Sequence, residues 1–295
     1  MRNYNLTIAG YNIGFESRSD GPDLLPSERF LRYLNPVNVS DIRISVHTGS
    51  FDLPEDAERI FHAPFVEEIN GIMLHHKPNF WSVWKQDTNL YIKTIFPLAP
   101  HEKNAVLEFS LETRDWDLWI DGTETVIDPF EYPLDGLILY YLTVIYGDIM
   151  IHGSGVRNSG RGYLFCGSSG KGKSTMANLW DSYGAKVIHD DRLILRKTAI
   201  GYRMFNTPVY NNEVPLDSPL DKIFIIDHGL ENRIVPLNGA IALSFIMANC
   251  IQHSWGHYII DSLLGSISDL CDTVPVVKLF FIPDKSVIDF ILEYE

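Results

Sequence analysis

The sequence predicts an α/β protein of two domains: a mainly antiparallel β domain over residues 1–130, then an α/β domain over residues 131–295. Three observations carry this. The chain has 295 residues, 45% of them hydrophobic and 21% charged, a globular composition with enough length for two cores. Its first 130 residues are dominated by β-rich runs separated by turn residues. After Asp128-Pro129 the texture changes to strands alternating with helical periodicities, the pattern of helices packed on a buried sheet.

In the first part the runs are Asn5 to Ile13, Ile42 to Val46, Phe80 to Trp84, Asn89 to Ile95, Val106 to Leu111 and Asp117 to Ile120, with Asp-Gly at 20–21 and 121–122 as punctuation. Trp81, Trp84, Trp116 and Trp119 fall in or beside these runs, where aromatic rings mostly pack the core; lining a cleft is the alternative. His62, His75 and His76 have no ligand spacing, so no metal is expected on them.

Leu134, Leu137, Ile138, Tyr141, Leu142 and Ile145 recur at three and four residues after Pro133, and Gly147 ends the run, which predicts a buried helix at the entrance to the second domain. Strands are expected at Ile149 to His152, Tyr163 to Cys166, Val187 to His189, Leu193 to Leu195, Ile223 to Ile226 and Val276 to Phe281. Helices are expected after Ser174, near 239–253 and 257–271, and after Pro283.

Charge and cysteine content narrow the partners. With 24 basic against 38 acidic side chains the formal charge is −14, and there is little material for a surface that neutralises nucleic-acid phosphates. Cys166, Cys250 and Cys271 form neither a metal pair nor a disulfide framework and read as reduced thiols. The N-terminus lacks a secretory h-region, and the longest apolar stretch, Leu134 to Ile145, is shorter than the roughly 20 residues a bilayer requires. The expectation is a cytoplasmic protein with no membrane or nucleic-acid partner.

One segment dominates the chemistry. Gly167, Ser168, Ser169, Gly170, Lys171, Gly172, Lys173 and Ser174 match GxxxxGK[ST] at every constrained position, with an apolar strand before and a helix from Thr175 after. Glycines allow the backbone to turn successive N–H groups toward a phosphate, and the helix adds the positive end of its dipole. Lys173 is expected to reach the β- and γ-phosphates of ATP, and the Ser174 hydroxyl to hold magnesium. An unoccupied glycine turn is the plain alternative.

Seventeen residues beyond Lys173, Val187-Ile188-His189 leads into Asp190 and Asp191. Adjacent carboxylates repel unless a cation lies between them, which points to magnesium; a solvated turn is the alternative. His152, in Ile151-His152-Gly153-Ser154-Gly155-Val156, ends the strand before the loop strand, where its ring could orient a carboxylate or touch a phosphoryl oxygen.

The segments IHGSGV, GYLFCGSSGKGKST and KVIHDD, in this order and spacing, resemble the catalytic domain of HPr kinase/phosphorylase and its related serine kinases, which share a fold with phosphoenolpyruvate carboxykinase. The resemblance covers residues 130–295 and implies a P-loop domain of that type. It implies a base at Asp190, a magnesium ligand at Asp191 and a supporting His152, with Lys173 on the phosphates. The family's second glycine-rich signature, of the EIRGLGI type, is replaced here by TPVYNNEVPLDSPLDKIFIID, so HPr is not the expected acceptor.

The expected activity is an ATP- and magnesium-dependent transfer of the γ-phosphoryl group to a serine-type hydroxyl of a protein or peptide. A metabolite hydroxyl kinase and a non-catalytic NTP-binding regulatory module are the alternatives. No LSGGQ-like signature supports an ABC-type ATPase, and no Lys and His set supports carboxykinase chemistry. Relatives are commonly multimeric, which extends the expectation to a homo-oligomer.

Overall fold

The computed structural model describes residues 1–37, 39–63, 68–69, 72–73, 80–96, 103–208, 213–252 and 256–294. His75 and His76 lie outside them. The fold is mixed α/β with mostly sheet content. It divides into two compact units, one built on Met1–Ile145 and the other on Tyr146–Val209, Val214–Gln252 and His257–Glu295.

The first unit is organised by a nine-stranded sheet. Its strands pair antiparallel except Ile42–Thr48, which runs parallel to both neighbours, Tyr11–Ser17 and Asp115–Ile120. Alternation builds the core: Tyr4, Leu6 and Ile8 point inward from one strand, and Trp116, Leu118 and Ile120 from another. The run expected as one strand from Asn5 to Ile13 is a hairpin. Ala9 and Gly10 take φ of 52° and 79°, the two positive values a two-residue turn requires, and Ile8 pairs with Tyr11 across it.

Of the tryptophans, Trp81 and Trp116 are buried. Trp119 is half-buried, covered by His47 and Phe51 with ring centroids at 4.9 and 4.3 Å. The predicted helix forms at Leu134–Tyr146, buried from Leu134 to Thr143. Its partners belong to the first unit: Tyr141 packs edge-on against Phe109, and Asp135 pairs with Arg29 at 2.7 Å. The helix read as opening the second domain therefore falls in the first.

The second unit is an eight-stranded mixed sheet in the order Asp217–Pro219, Gly201–Asn206, Lys186–Thr198, Ile149–Asn158, Arg161–Cys166, Lys222–His228, Val276–Phe281, Arg233–Leu237. Side chains alternate between two apolar layers. On one face Ile151, Leu164, Leu193 and Ile223 pack with Ala242 and Ile246 of the helix Gly239–Met247 and with Ile267 and Leu270 of the helix His257–Thr273. On the other, Val156, Tyr163, Phe165 and Phe224 pack with Met176 and Trp180 of the helix Lys173–Tyr183 and with Val287 and Ile291 of Ser286–Tyr294. Trp180 is fully buried, with its ring 5.4 Å from that of Tyr163. No described helix is long and apolar enough to cross a membrane.

Candidate functional site

The strand Arg161–Cys166 sits between Ile149–Asn158, antiparallel, and Lys222–His228, parallel. It ends in the glycine-rich segment, and the helix Lys173–Tyr183 follows at once. Local stereochemistry explains the glycines. Gly170 and Gly172 have φ of 79° and 94°, in the left-handed region. A Cβ on Gly172 would lie 2.8 Å from Cζ of Phe281, and one on Gly167 would lie 3.1 Å from the carbonyl oxygen of Ile226. Gly170 meets nothing within 4 Å at that point and needs only its backbone freedom.

The lysines of the segment are both engaged. Lys173 Nζ donates to the carbonyl oxygens of Gly167, at 2.8 Å, and Ser168, at 3.3 Å. Lys171 Nζ donates to Asp227 Oδ1 at 2.7 Å. Ser168, Ser169, Ser174 and Thr175 are exposed, and the first-turn N–H groups of a helix have no intrahelical acceptor. The segment therefore offers side-chain hydroxyls, backbone donors and an ammonium group at one helix end.

Where Arg161–Cys166 leaves the sheet, the vacated edge of its neighbour is taken by residues 249–251. His152 N donates to Asn249 O and Ile251 N to Met150 O, each at 2.9 Å. This fixes the backbone on both sides of Ile151 and pins the amide of His152.

Asp190 and Asp191 do not stand at a strand end, as the sequence suggests. The two short strands expected at 187–189 and 193–195 are one strand, Lys186–Thr198, with a bulge opposite Gly155 and Val156. The carboxylates lie within it. Gly153 is the register partner of Cys166 on one side and of Asp191 on the other. At the usual strand spacing this places Asp191 about 10 Å from Cys166, the residue just before the glycine-rich segment.

Two short-range contacts sort the pair. The hydroxyl of buried Ser154 donates to Asp190 Oδ1. His152 Nδ1 lies 3.2 Å from Asp191 Oδ1, so the carboxylate that the imidazole partners is that of Asp191. Burial pulls the Asp191 carboxyl upward, but the His152 hydrogen bond with the charges of Arg192, His152 and His189 outweighs it, and the group sits below the ordinary carboxylate value.

Sequence reasoning missed Ser154 and Asp227. Ser154 stands two residues from His152 inside a quoted motif, and its role follows only from the cross-strand register with Asp190. Asp227 ends the apolar run Ile223 to Ile226 in a strand parallel to the loop strand, and the acidic end of that run was the available signal. Among the described residues no group of three or more His, Cys, Asp or Glu is arranged to hold a metal ion.

No family model and no curated protein matches the chain. Among solved structures it is similar to the Hpr(Ser) kinase/phosphatase from Coxiella burnetii, at 10% identity and a TM-score of 0.31 over 49% of this chain and 94% of that one, a distant structural relationship.

Proposed function

We propose that the second unit is an ATP-dependent kinase that transfers the γ-phosphoryl group to a hydroxyl of a protein or peptide. The observation that carries this reading is the register at Gly153, which sets the start of the glycine-rich segment and the aspartate pair on either side of one strand. Phosphoryl transfer is mostly positioning and charge neutralisation, and this arrangement brings phosphate donors and carboxylates to the same level of one sheet.

In this reading phosphate oxygens replace the loop carbonyls on Lys173 and take up the N–H groups of the first helical turn. Asp190, held by Ser154, accepts the proton of the acceptor hydroxyl. The acceptor oxygen then forms its bond to the γ-phosphorus as the bond to the bridging oxygen breaks and ADP leaves. The donor set fits magnesium: Ser174 and Asp191 supply too few ligands to hold the ion alone, and magnesium is commonly bound by one or two protein oxygens together with substrate phosphates. When bound, it would offset charge on the transferring group.

The test is calorimetric titration with MgATP, followed by ATP turnover measured with water as acceptor. Binding and slow hydrolysis in the wild type, both strongly reduced in Lys173→Ala, are expected. No heat of binding at millimolar MgATP would sink the proposal, and tight binding without turnover would move it to a regulatory nucleotide-binding module. Efficient transfer to the serine of HPr is not expected.

A further inference from the structure

Three consecutive residues at the end of the strand Lys222–His228 touch three different positions of the glycine-rich segment. The carbonyl of Ile226 lies where a Cβ on Gly167 would meet it at 3.1 Å. The carboxylate of Asp227 accepts from Lys171 at 2.7 Å and lies 3.7 Å from Lys278 Nζ. His228 Nε2 lies 3.1 Å from the carbonyl oxygen of Gly170, and its ring stacks on Phe281, the residue that closes the space beside Gly172. The N–H of His228 also donates to Asp227 Oδ1 at 3.0 Å, tying the two contacts together.

A segment with two left-handed glycines and little side-chain packing has many conformations to lose, and ordering each residue costs conformational entropy. Contacts that hold it before the ligand arrives lower that cost at binding. Resting on the kinase reading, we infer that Asp227 is a positioning residue for nucleotide: it tethers Lys171, and with His228 it holds the segment in its phosphate-receiving shape. Lys171 serves in this arrangement as an anchor of the segment and not as a phosphate ligand.

The alternatives give different signs. If Lys171 were a phosphate ligand restrained by Asp227, freeing it would add a cation to the site and tighten binding. If Asp227 held magnesium, its loss would raise the magnesium requirement.

The experiment is a double-mutant cycle of Asp227→Asn and Lys171→Met on the full chain, read by MgATP calorimetry and by initial ATPase rate against ATP and against magnesium. Each single variant and the double variant are expected to raise Kd by about tenfold, without additivity, because all three break one tether. Asp227→Asn is expected to raise KM for ATP while kcat at saturation and the magnesium requirement stay at the wild-type level. Additive losses, tighter binding in Asp227→Asn, an unchanged Kd or a raised magnesium requirement would each overturn the inference while the kinase reading stands. Failure of the wild type to bind MgATP is the separate result that removes both. Should Asp227→Asn fold poorly, the half-exposed Lys171→Met carries the same test, since an unchanged Kd there also overturns the tether.

Discussion

The Nδ1 atom of His152 lies 3.2 Å from Oδ1 of Asp191, and this contact sets the histidine on the second carboxylate of the pair. His152 also has its backbone pinned through Asn249, so the ring has a fixed base from which to hold Asp191. Its hydrogen bond is the foremost of the effects that keep Asp191 ionised against burial. His152→Ala should therefore resemble a change at Asp191: the magnesium concentration for half-maximal rate rises by about tenfold, the order expected when one hydrogen bond to a charged group is lost. A fall in kcat with an unaltered magnesium requirement would show that the ring acts elsewhere.

Ser154 makes the complementary prediction. Its side chain is fully buried, and its hydroxyl is the side-chain donor to Asp190. Removing it in Ser154→Ala leaves the backbone and the apolar packing in place and lets the carboxylate turn. Turnover should drop by about tenfold, on the scale of one charge-assisted hydrogen bond, with the Kd for MgATP unchanged. Weakened nucleotide binding in this variant would contradict a role confined to Asp190.

The two left-handed glycines should respond unequally to alanine. At Gly170 the added methyl meets no atom within 4 Å, so only the backbone conformation is penalised, at about 1–2 kcal/mol. At Gly172 the same penalty is joined by a 2.8 Å approach to the Phe281 ring, which is packed among Phe165, Leu279 and Val287. Gly172→Ala should lose at least about 1 kcal/mol more than Gly170→Ala, the lower end of the usual cost of overpacking. Urea denaturation of both variants measures the difference, and equal losses would mean that Phe281 yields freely.

The three thiols should be inert in the native protein. Cys166 is fully buried and its thiol is pushed up by that burial; burial likewise drives the Cys250 thiol up to about 12 and raises Cys271. Since the thiolate is the reactive form, and its population grows only as pH approaches these raised values, reaction with a disulfide reagent at pH 8 should be slow. Unfolding in denaturant should release three fast-reacting thiols. Rapid labelling of Cys250 in the folded chain would count against its burial with Ile246, whose carbonyl accepts from it at 3.3 Å.

How much of this was legible in the sequence depends on how local each feature is. The glycine-rich segment could be read because each constraint lies within eight residues: a glycine where φ is positive, a lysine and a serine at a helix start. The aspartate pair was found but misplaced at a strand end, because the bulge that lets Lys186–Thr198 continue depends on the opposing residues Gly155 and Val156. The strand Gly201–Asn206 was missed since its buried positions are Tyr202, Met204 and a polar Asn206. Asn206 is kept inside by bonds to Val214 O and Leu216 N, eight and ten residues away. Asp227 acquires meaning only from a parallel pairing across nearly sixty residues, which no periodicity reports.

The last prediction separates the two carboxylates. Their neighbours differ: a neutral hydroxyl on Asp190, and an imidazole with nearby positive charge on Asp191. A base has to accept a proton as the transition state forms, whereas a metal ligand has to stay ionised throughout. Asp190→Asn preserves shape and an acceptor oxygen for Ser154, so MgATP should bind with a nearly unchanged Kd. Turnover should fall by about 10² to 10⁴, the usual contribution of general base catalysis. Asp191→Asn removes the charge that His152 sustains, and both nucleotide affinity and the magnesium requirement should worsen along with rate. Calorimetry of MgATP binding and initial rates against magnesium, on both variants and the wild type, decide the matter. Equal loss of nucleotide binding in the two variants would reject the division of roles, and wild-type turnover in Asp190→Asn would leave the proton of the acceptor hydroxyl to some other group.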